Sequence, residues 1–354
     1  MDARRSPDPE RLAGALAFAA EAETPWSRNL DRGLATDTRA HEPRWNEVLG
    51  PTRARGGPSG LILRGGERLV QWGEPDRVDM AFSVTKSFLA LLTGIALGDG
   101  LIGSLDDPMR EYALDDGFDS PHNRAVTWRH MLWQTSEWEG TLWGKPDLVD
   151  RNRQVGPGAD NGRKGEHRDL GVAGSFYEYN DVRVNRLSLS LLQVFRRALP
   201  EVLAERIMGP IGASASWAWH AYRNAWFEID GRPLPSVPGG GHWGGGLFIS
   251  CEDLARVGRL VQLGGAWEGR EILPSGWAAA LREPCPVRPD YGFLFWLNRG
   301  RRAYPSAPAS SYFMVGAGSN VVWIDDDLDV VVVMRWVASD RVDALVGKLL
   351  AALG

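Results

Sequence analysis

The sequence predicts an α/β (α+β) fold: an antiparallel sheet flanked by helices, fed by both ends of the chain, with a mostly helical lobe inserted between. Three observations predict it. Strand-type segments occur in 61–72 and again in 247–337, far apart in the chain. Phe88 to Leu97 is apolar nearly all round, as in a helix buried in a core. Residues 105–239 between them carry helix-like spacing and long polar loops.

Taken in order, residues 1–55 are polar and read as a helical or irregular segment wrapping the main body. Within it, Ala13 to Ala20 reads as part of an amphipathic helix. Leu61 to Arg64, Gly65-Gly66 and Arg68 to Trp72 read as a β-hairpin with a glycine turn. The buried helix at 88–97 is stopped by Gly98 and Gly100. Val182 to Ala198 and Leu199 to Met208 read as helices, and Gly156 to Gly174 as a flexible loop. Leu247 to Ser250 reads as a strand, Cys251 to Leu263 as a helix, and Tyr291 to Leu297 as a strand. Asn320 to Ile324 and Val330 to Val337 flank Asp325-Asp326-Asp327 as a hairpin, and Asp340 to Leu353 closes the chain with helical spacing. The expected division is a body over 56–354, made of an α/β lobe (56–104 plus 240–354) and a helical lobe (105–239).

Composition narrows the function. The 354 residues carry a net charge of −5 with scattered basic residues, which opposes nucleic acid or an anionic membrane as the main partner. The apolar runs fall short of the ~20 residues of a membrane span. No stretch reads as a signal peptide, and a cytoplasmic location is expected. Cys251 and Cys285 read as free, buried thiols. The histidines form no H-x-H or H-E-x-x-H, so no metal site is expected.

The most informative stretch is Phe82-Ser83-Val84-Thr85-Lys86-Ser87. Three residues is nearly one helical turn, so Ser83 and Lys86 share a face just where the buried helix begins. Only four lysines occur, and a lysine beside a long apolar run is costly unless it has a task. A serine beside an amine is the arrangement of an activated nucleophile that needs no histidine. The spacing alone arises by chance about once in a chain this long, and its context gives it weight.

That context resembles the serine β-lactamase and penicillin-binding-protein superfamily, most nearly its class C β-lactamase and family VIII esterase branch. Ser83-Val84-Thr85-Lys86 matches the family's S-x-x-K. Thr127 to Ser136 resembles its T-x-x-x-L-L-x-x-T-S-G segment, with Glu137 where glycine is usual. Tyr179-Asn180-Asp181 resembles its Y-x-N motif, with aspartate at the third place; the register is set on Tyr179 rather than Tyr177. Gly244 to Ser250 followed by Asp253-Leu254-Ala255-Arg256 resembles its glycine-rich strand and helix. Val315-Gly316-Ala317-Gly318 stands at its K-T-G or H-x-G strand, with Met314 where lysine or histidine is common.

The resemblance implies a β-lactamase-like fold and acyl transfer without metal or cofactor. Ser83 would be the nucleophile and Lys86 its base, held near-neutral by burial or sharing a proton with Tyr179. The N–H groups of Ser83 and Ala317 would form the oxyanion hole. Gly316 and Gly318 would let a substrate approach the strand. Asp181 is expected in the pocket, as a partner of Lys86, or as a helix cap. Asn180, His242 and Trp243 are expected in the pocket wall. The expected substrate is a small ester, amide or lactam, and Met314 favours the first two over a β-lactam.

Overall fold

A computed structural model describes residues 6–35, 43–156 and 158–354. Residues 1–5 and 36–42 of the expected wrapping segment lie outside the described residues.

The chain folds around a six-stranded antiparallel sheet. Its strands are β1 (Ser59–Arg64), β2 (Glu67–Trp72), β6 (Trp296–Leu297), β7 (Tyr312–Gly316), β8 (Asn320–Asp325) and β9 (Val330–Arg335), in the order β6-β7-β8-β9-β1-β2. The first hairpin therefore pairs with the last, with Ile62 opposite Val332. Successive side chains of a strand point to opposite faces. Val331 and Val333 enter one apolar cluster, and Val330, Val332 and Met334 enter another. Both faces are covered, so β9 is a continuous apolar run rather than an alternating one.

One face is covered by α1 (Pro9–Glu21) and α5 (Val342–Leu353), which pack on each other through Ala15, Ala19, Val346 and Leu349. The other carries α2 (Val84–Gly98) and α4 (Cys251–Gln262). A second sheet joins β3 (Asp79–Met80), β5 (Gly246–Ile249) and β4 (Ala218–His220), in the order β3-β5-β4. Between them, α3 (Asp181–Phe195) packs against α2.

The first hairpin and the late strands fall within a residue or two of expectation, and the buried helix begins four residues earlier, at Val84. Two segments differ. Tyr291 to Leu297 is not one strand: only Trp296 and Leu297 pair with β7. Leu294 has φ 57° and the Gly292 N–H bonds to the Phe295 carbonyl, so the segment turns back on itself. The 156–174 loop is not loose at its inner side. Lys164 is buried, and Arg168 pairs with the buried carboxylates of Glu137 and Glu178. Both cysteines are free and buried. Among the described residues, no helix is long and apolar enough to cross a membrane.

Candidate active site

Ser83 holds the N-cap position of α2, three residues after the end of β3, and its side chain makes no capping hydrogen bond. The turn into it is tight. Phe82 takes φ 49°, a left-handed conformation that costs a bulky residue about 1 kcal/mol or more. The surroundings hold it there: the Phe82 ring meets Trp26 and Trp336 edge-to-face, at 5.7 and 6.2 Å between centroids. The N-terminal segment thus braces the serine turn from outside, and Arg55 fastens it by donating to the carbonyls of Thr24, Trp26 and Gly56.

One turn into α2, Lys86 Nζ donates to Ser83 Oγ at 2.9 Å. Lys86 is buried and Ser83 half-buried, so the serine is the more accessible member of the pair. The same amine donates to Asp181 at the start of α3. It also lies 4.7 Å from the centre of the Tyr179 ring. The Tyr179 ring stacks at 27° on Trp296. Tyr177 faces elsewhere, against Tyr291 and Arg288. Tyr179 is therefore the tyrosine that stands beside Lys86.

The local chain fixes this arrangement. Asn180 caps α3, its side chain accepting from the N–H groups of Val182 and Arg183. Gln134, in the left-handed region at φ 54°, accepts the Asn180 N–H on its side chain and the Glu178 N–H on its carbonyl. So the 127–136 segment holds the Tyr179-Asn180-Asp181 segment directly. Glu137 has φ 50°, a conformation that favours glycine. Here its buried carboxylate accepts from Arg168, Arg183 and the Gly171 N–H. Arg183 and Arg151 extend the network to Asp147.

Asp181 is the centre of the charges. Arg153 Nη1 donates to its Oδ2 at 2.6 Å, and His242 Nδ1 lies 3.2 Å from the same oxygen. The Asp181 N–H donates to Asp150 Oδ2 at 2.9 Å. Arg153 and Lys164 stand 3.3 and 3.2 Å from Asp150 Oδ1, ion-pair distances without hydrogen-bond alignment for Lys164. Asp150, Asp181 and His242 present ligand-type atoms within 4.8 Å of one another. Three cations already stand against these two carboxylates, so the arrangement is an ion-pair cluster in which a metal would meet like charge.

Burial pushes the Lys86 amine down, but the Asp181 carboxylate beside it outweighs that, and the net displacement is upward. This corrects the expectation of a lysine held near-neutral by burial: the resting amine is an ammonium. Burial pushes the Asp181 carboxyl up, while Lys86 and Arg153 hold it well below the usual carboxylate range. Burial moves the His242 imidazole down against the pull of Asp181, so it is neutral at pH 7 and its Nδ1–H donates to the carboxylate.

The remaining expected residues separate. Gly316 ends β7 against the serine turn: a Cβ there would stand 2.2 Å from the Ala81 carbonyl and 3.1 Å from Ser83 N. Ala317 is half-buried in the turn that follows, packed beside Phe82 and Trp336. Gly318 lies against the Trp336 ring rather than the serine. Asn180 is wholly buried at its cap, and its side-chain amide donates to the Asp147 carbonyl. Trp243 is buried against Tyr222 and Lys145, and its carbonyl accepts from Leu49 and Gly50. Met314 is in the core. Two residues were not foreseen. Gly240 lies against the cluster, where a Cβ would stand 3.0 Å from Lys86 Nζ and 3.5 Å from Ser83 Oγ. Arg153 arrives from the inserted loop, where nothing in its local sequence marks it.

These features define a β-lactamase-like fold with a serine and a lysine side by side, and the family comparison agrees. The family model described as Beta-lactamase matches residues 45–349, and the chain belongs to that family. Among solved structures, it is similar to EstCE1, described as a hydrolase with promiscuous acyltransferase activity (TM-score 0.60, 16% identity, 98% of this chain and 99% of that one). It is similar to a penicillin-binding protein homologue from Caulobacter crescentus (TM-score 0.61, 17% identity, 98% and 99% covered). It is also similar to the octameric penicillin-binding protein homologue from Pyrococcus abyssi (TM-score 0.58, 18% identity, 84% and 72% covered). At these identities the likeness speaks to the fold. No curated protein sequence matches.

Proposed function

We propose that this chain is a serine hydrolase that cleaves a small ester or amide through an acyl-enzyme on Ser83. The observation that carries the reading is Lys86 Nζ at 2.9 Å from Ser83 Oγ, at the N-terminus of a buried helix with the Gly316 strand end beside the Ser83 N–H. Membership of the β-lactamase family supports it.

In this reading the Lys86–Tyr179 pair acts in the form that holds one proton fewer than ammonium and phenol together; Ser83 Oγ attacks the substrate carbonyl carbon and its proton passes to that pair. The pair gives that proton to the leaving alcohol or amine. A water then attacks the Ser83 ester, yields its proton to the pair, and releases the acid as the serine is re-protonated. Because Lys86 rests as an ammonium, it first serves as a fixed positive charge on Ser83 Oγ, and Tyr179 shares the proton traffic. The Ser83 and Ala317 N–H groups would hold the oxyanion, helped by the positive end of α2. The lobe division expected from sequence fits this reading: α2 and β7 supply the serine side, and α3 with its preceding loops supplies the charge cluster. The buried Met314 leaves the late strand without the cation that would greet a β-lactam carboxylate, which favours an ester or amide.

The test is incubation with a fluorophosphonate probe, p-nitrophenyl esters and a chromogenic cephalosporin, beside Ser83→Ala. Serine-dependent labelling and ester turnover without cephalosporin turnover is expected. Rapid cephalosporin hydrolysis would move the protein to a β-lactamase. A wild type that neither labels nor turns over any substrate would point to a ligand-binding relative.

A further inference from the structure

The Ser83 site contains a cation that the serine-lysine pair does not by itself require. Asp181 offers one carboxylate oxygen to Lys86 and the other to Arg153, at 2.6 Å. Only 14% of the Arg153 side chain is exposed, and it is the one arginine on Asp181 among the described residues. A carboxylate touching a buried amine strongly favours the ammonium, because charges attract more strongly out of water. Unopposed, Asp181 would hold Lys86 too firmly charged to trade protons with Ser83 and Tyr179. Arg153 opposes it twice over. It occupies the second oxygen, and its guanidinium lies 5.1 Å from the centre of the Tyr179 ring that Lys86 also faces.

We infer that Arg153 is a positioning residue for the Ser83 chemistry: its charge offsets Asp181 and so lowers the pH at which the Lys86–Tyr179 pair can take the serine proton. The inference rests on the acyl-enzyme reading above. Its sign does not depend on which member of the pair takes the proton, since a nearby cation disfavours proton binding at an amine and a phenol alike. The other groups facing the cluster are Asp150 and Lys164 from the loop, His242 from the glycine run, and Tyr222 and Tyr291. Of these, His242 is the one whose ordinary range lies nearest neutral pH, and burial moves it down from there. The role also explains why the 137–175 segment is welded down. Glu137, Glu178 and Asp147 pair with Arg168, Arg183 and Arg151, and the segment can then present Arg153 at a fixed place.

The test reads the pH dependence of fluorophosphonate labelling of Ser83, by intact mass, from about pH 5 to about pH 11.5, so that the limb of an amine held above its ordinary range is covered. Wild type, R153Q, R153K, D181N and the double variant R153Q/D181N are compared. The rising limb should move up by about one pH unit in R153Q, stay near wild type in R153K, move down in D181N, and return close to wild type in the double variant. A rate that falls equally at every pH in R153Q, with the limb unmoved, would show a merely structural arginine and overturn the inference. So would a limb shift that disappears in a His242→Gln background, since the limb would then belong to the imidazole. If R153Q fails to fold, D181N and R153K decide: a lowered limb in the first and an unchanged limb in the second support the inference, and any other pairing overturns it. A wild type that never labels overturns the hydrolase reading and this inference with it; a labelled wild type with an unmoved limb overturns the inference alone.

Discussion

Lys86 and Asp181, 95 residues apart in sequence, form a buried ion pair whose ammonium also donates to the Ser83 hydroxyl. Removing one partner of a buried pair costs about 3–5 kcal/mol when the other charge is left uncompensated. Lys86→Met leaves Asp181 with Arg153 and His242, so it should lower the unfolding free energy by less than that, about 1–3 kcal/mol. Adding Asp181→Asn in the same chain should recover part of it, as read by denaturant titration of the two single variants and the double.

The pair also sets an acid response. The Asp181 carboxyl is held well below its unfolded value, so its stabilising contribution is complete above about pH 4 and is lost as pH falls through the folded value. The Lys86 amine is displaced upward, so its contribution is complete below about pH 10 and is lost only above that. The melting temperature of the wild type should fall more steeply below about pH 4 than that of Asp181→Asn, while the pair adds no slope between about pH 5 and 9. Equal acid slopes in the two proteins would contradict the pairing.

Two glycines at the serine should fail differently. At Gly240 a Cβ would meet the ends of Lys86, Asp181 and Ser83 side chains, at 3.0 to 3.5 Å. At Gly316 it would meet the Ala81 backbone carbonyl at 2.2 Å, which cannot move cheaply. Gly240→Ala should keep the melting temperature within a few degrees and slow Ser83 labelling about tenfold or more, as expected when a catalytic geometry is displaced slightly. Gly316→Ala should lose both, with the melting temperature clearly lowered.

The two neighbouring tyrosines give a matched control. Tyr179→Phe should cost about 10²-fold or more in labelling and turnover if the phenol moves protons. The Tyr177 hydroxyl is buried without a hydrogen-bond partner. Tyr177→Phe should therefore leave turnover near wild type and be neutral or stabilising by up to about 1 kcal/mol. The reverse pattern would move the motif register to Tyr177.

Glu137 tests the anchoring of the inserted loop. Glu137→Gly relieves a left-handed backbone, a gain of about 1 kcal/mol. It also removes one carboxylate from Arg183 and Arg168, which keep Asp147 and Glu178, at a cost of about 2 kcal/mol or more for the lost charged hydrogen bonds. The net should be destabilising, and limited proteolysis within 156–174 should become faster. Unchanged proteolysis would mean that the loop is held by other contacts.

Much of the fold was legible because its signals are local. The hairpin at 59–72 carries its glycine turn, and α2 its apolar run and glycine stop. The error at Tyr291 to Leu297 shows the limit. Its residues have strand character, yet Leu294 takes a positive φ because the Leu294 N–H is claimed by the Leu132 carbonyl and the Phe293 N–H by the Leu281 carbonyl. Tertiary hydrogen bonds overrode a local preference there. Glu137 was visible as a departure from a glycine pattern, but its compensation by Arg168 and Arg183 was not, because those partners are 31 and 46 residues away.

The sequence by itself determined the Ser83–Lys86 pair, since one helical turn dictates that the two side chains meet. Resemblance to family motifs, in their order along the chain, added Tyr179, Asp181 and the Gly316 strand as companions. Only the tertiary structure decided the protonation of that pair. Burial alone would have made Lys86 a neutral amine; the carboxylate of Asp181, brought against it by α3 packing on α2, makes it an ammonium. Arg153, arriving on a loop whose course no local pattern specifies, then tempers that charge. Spacing along a helix fixes which groups touch, but the sum of charges around a buried group depends on every segment that folds against it.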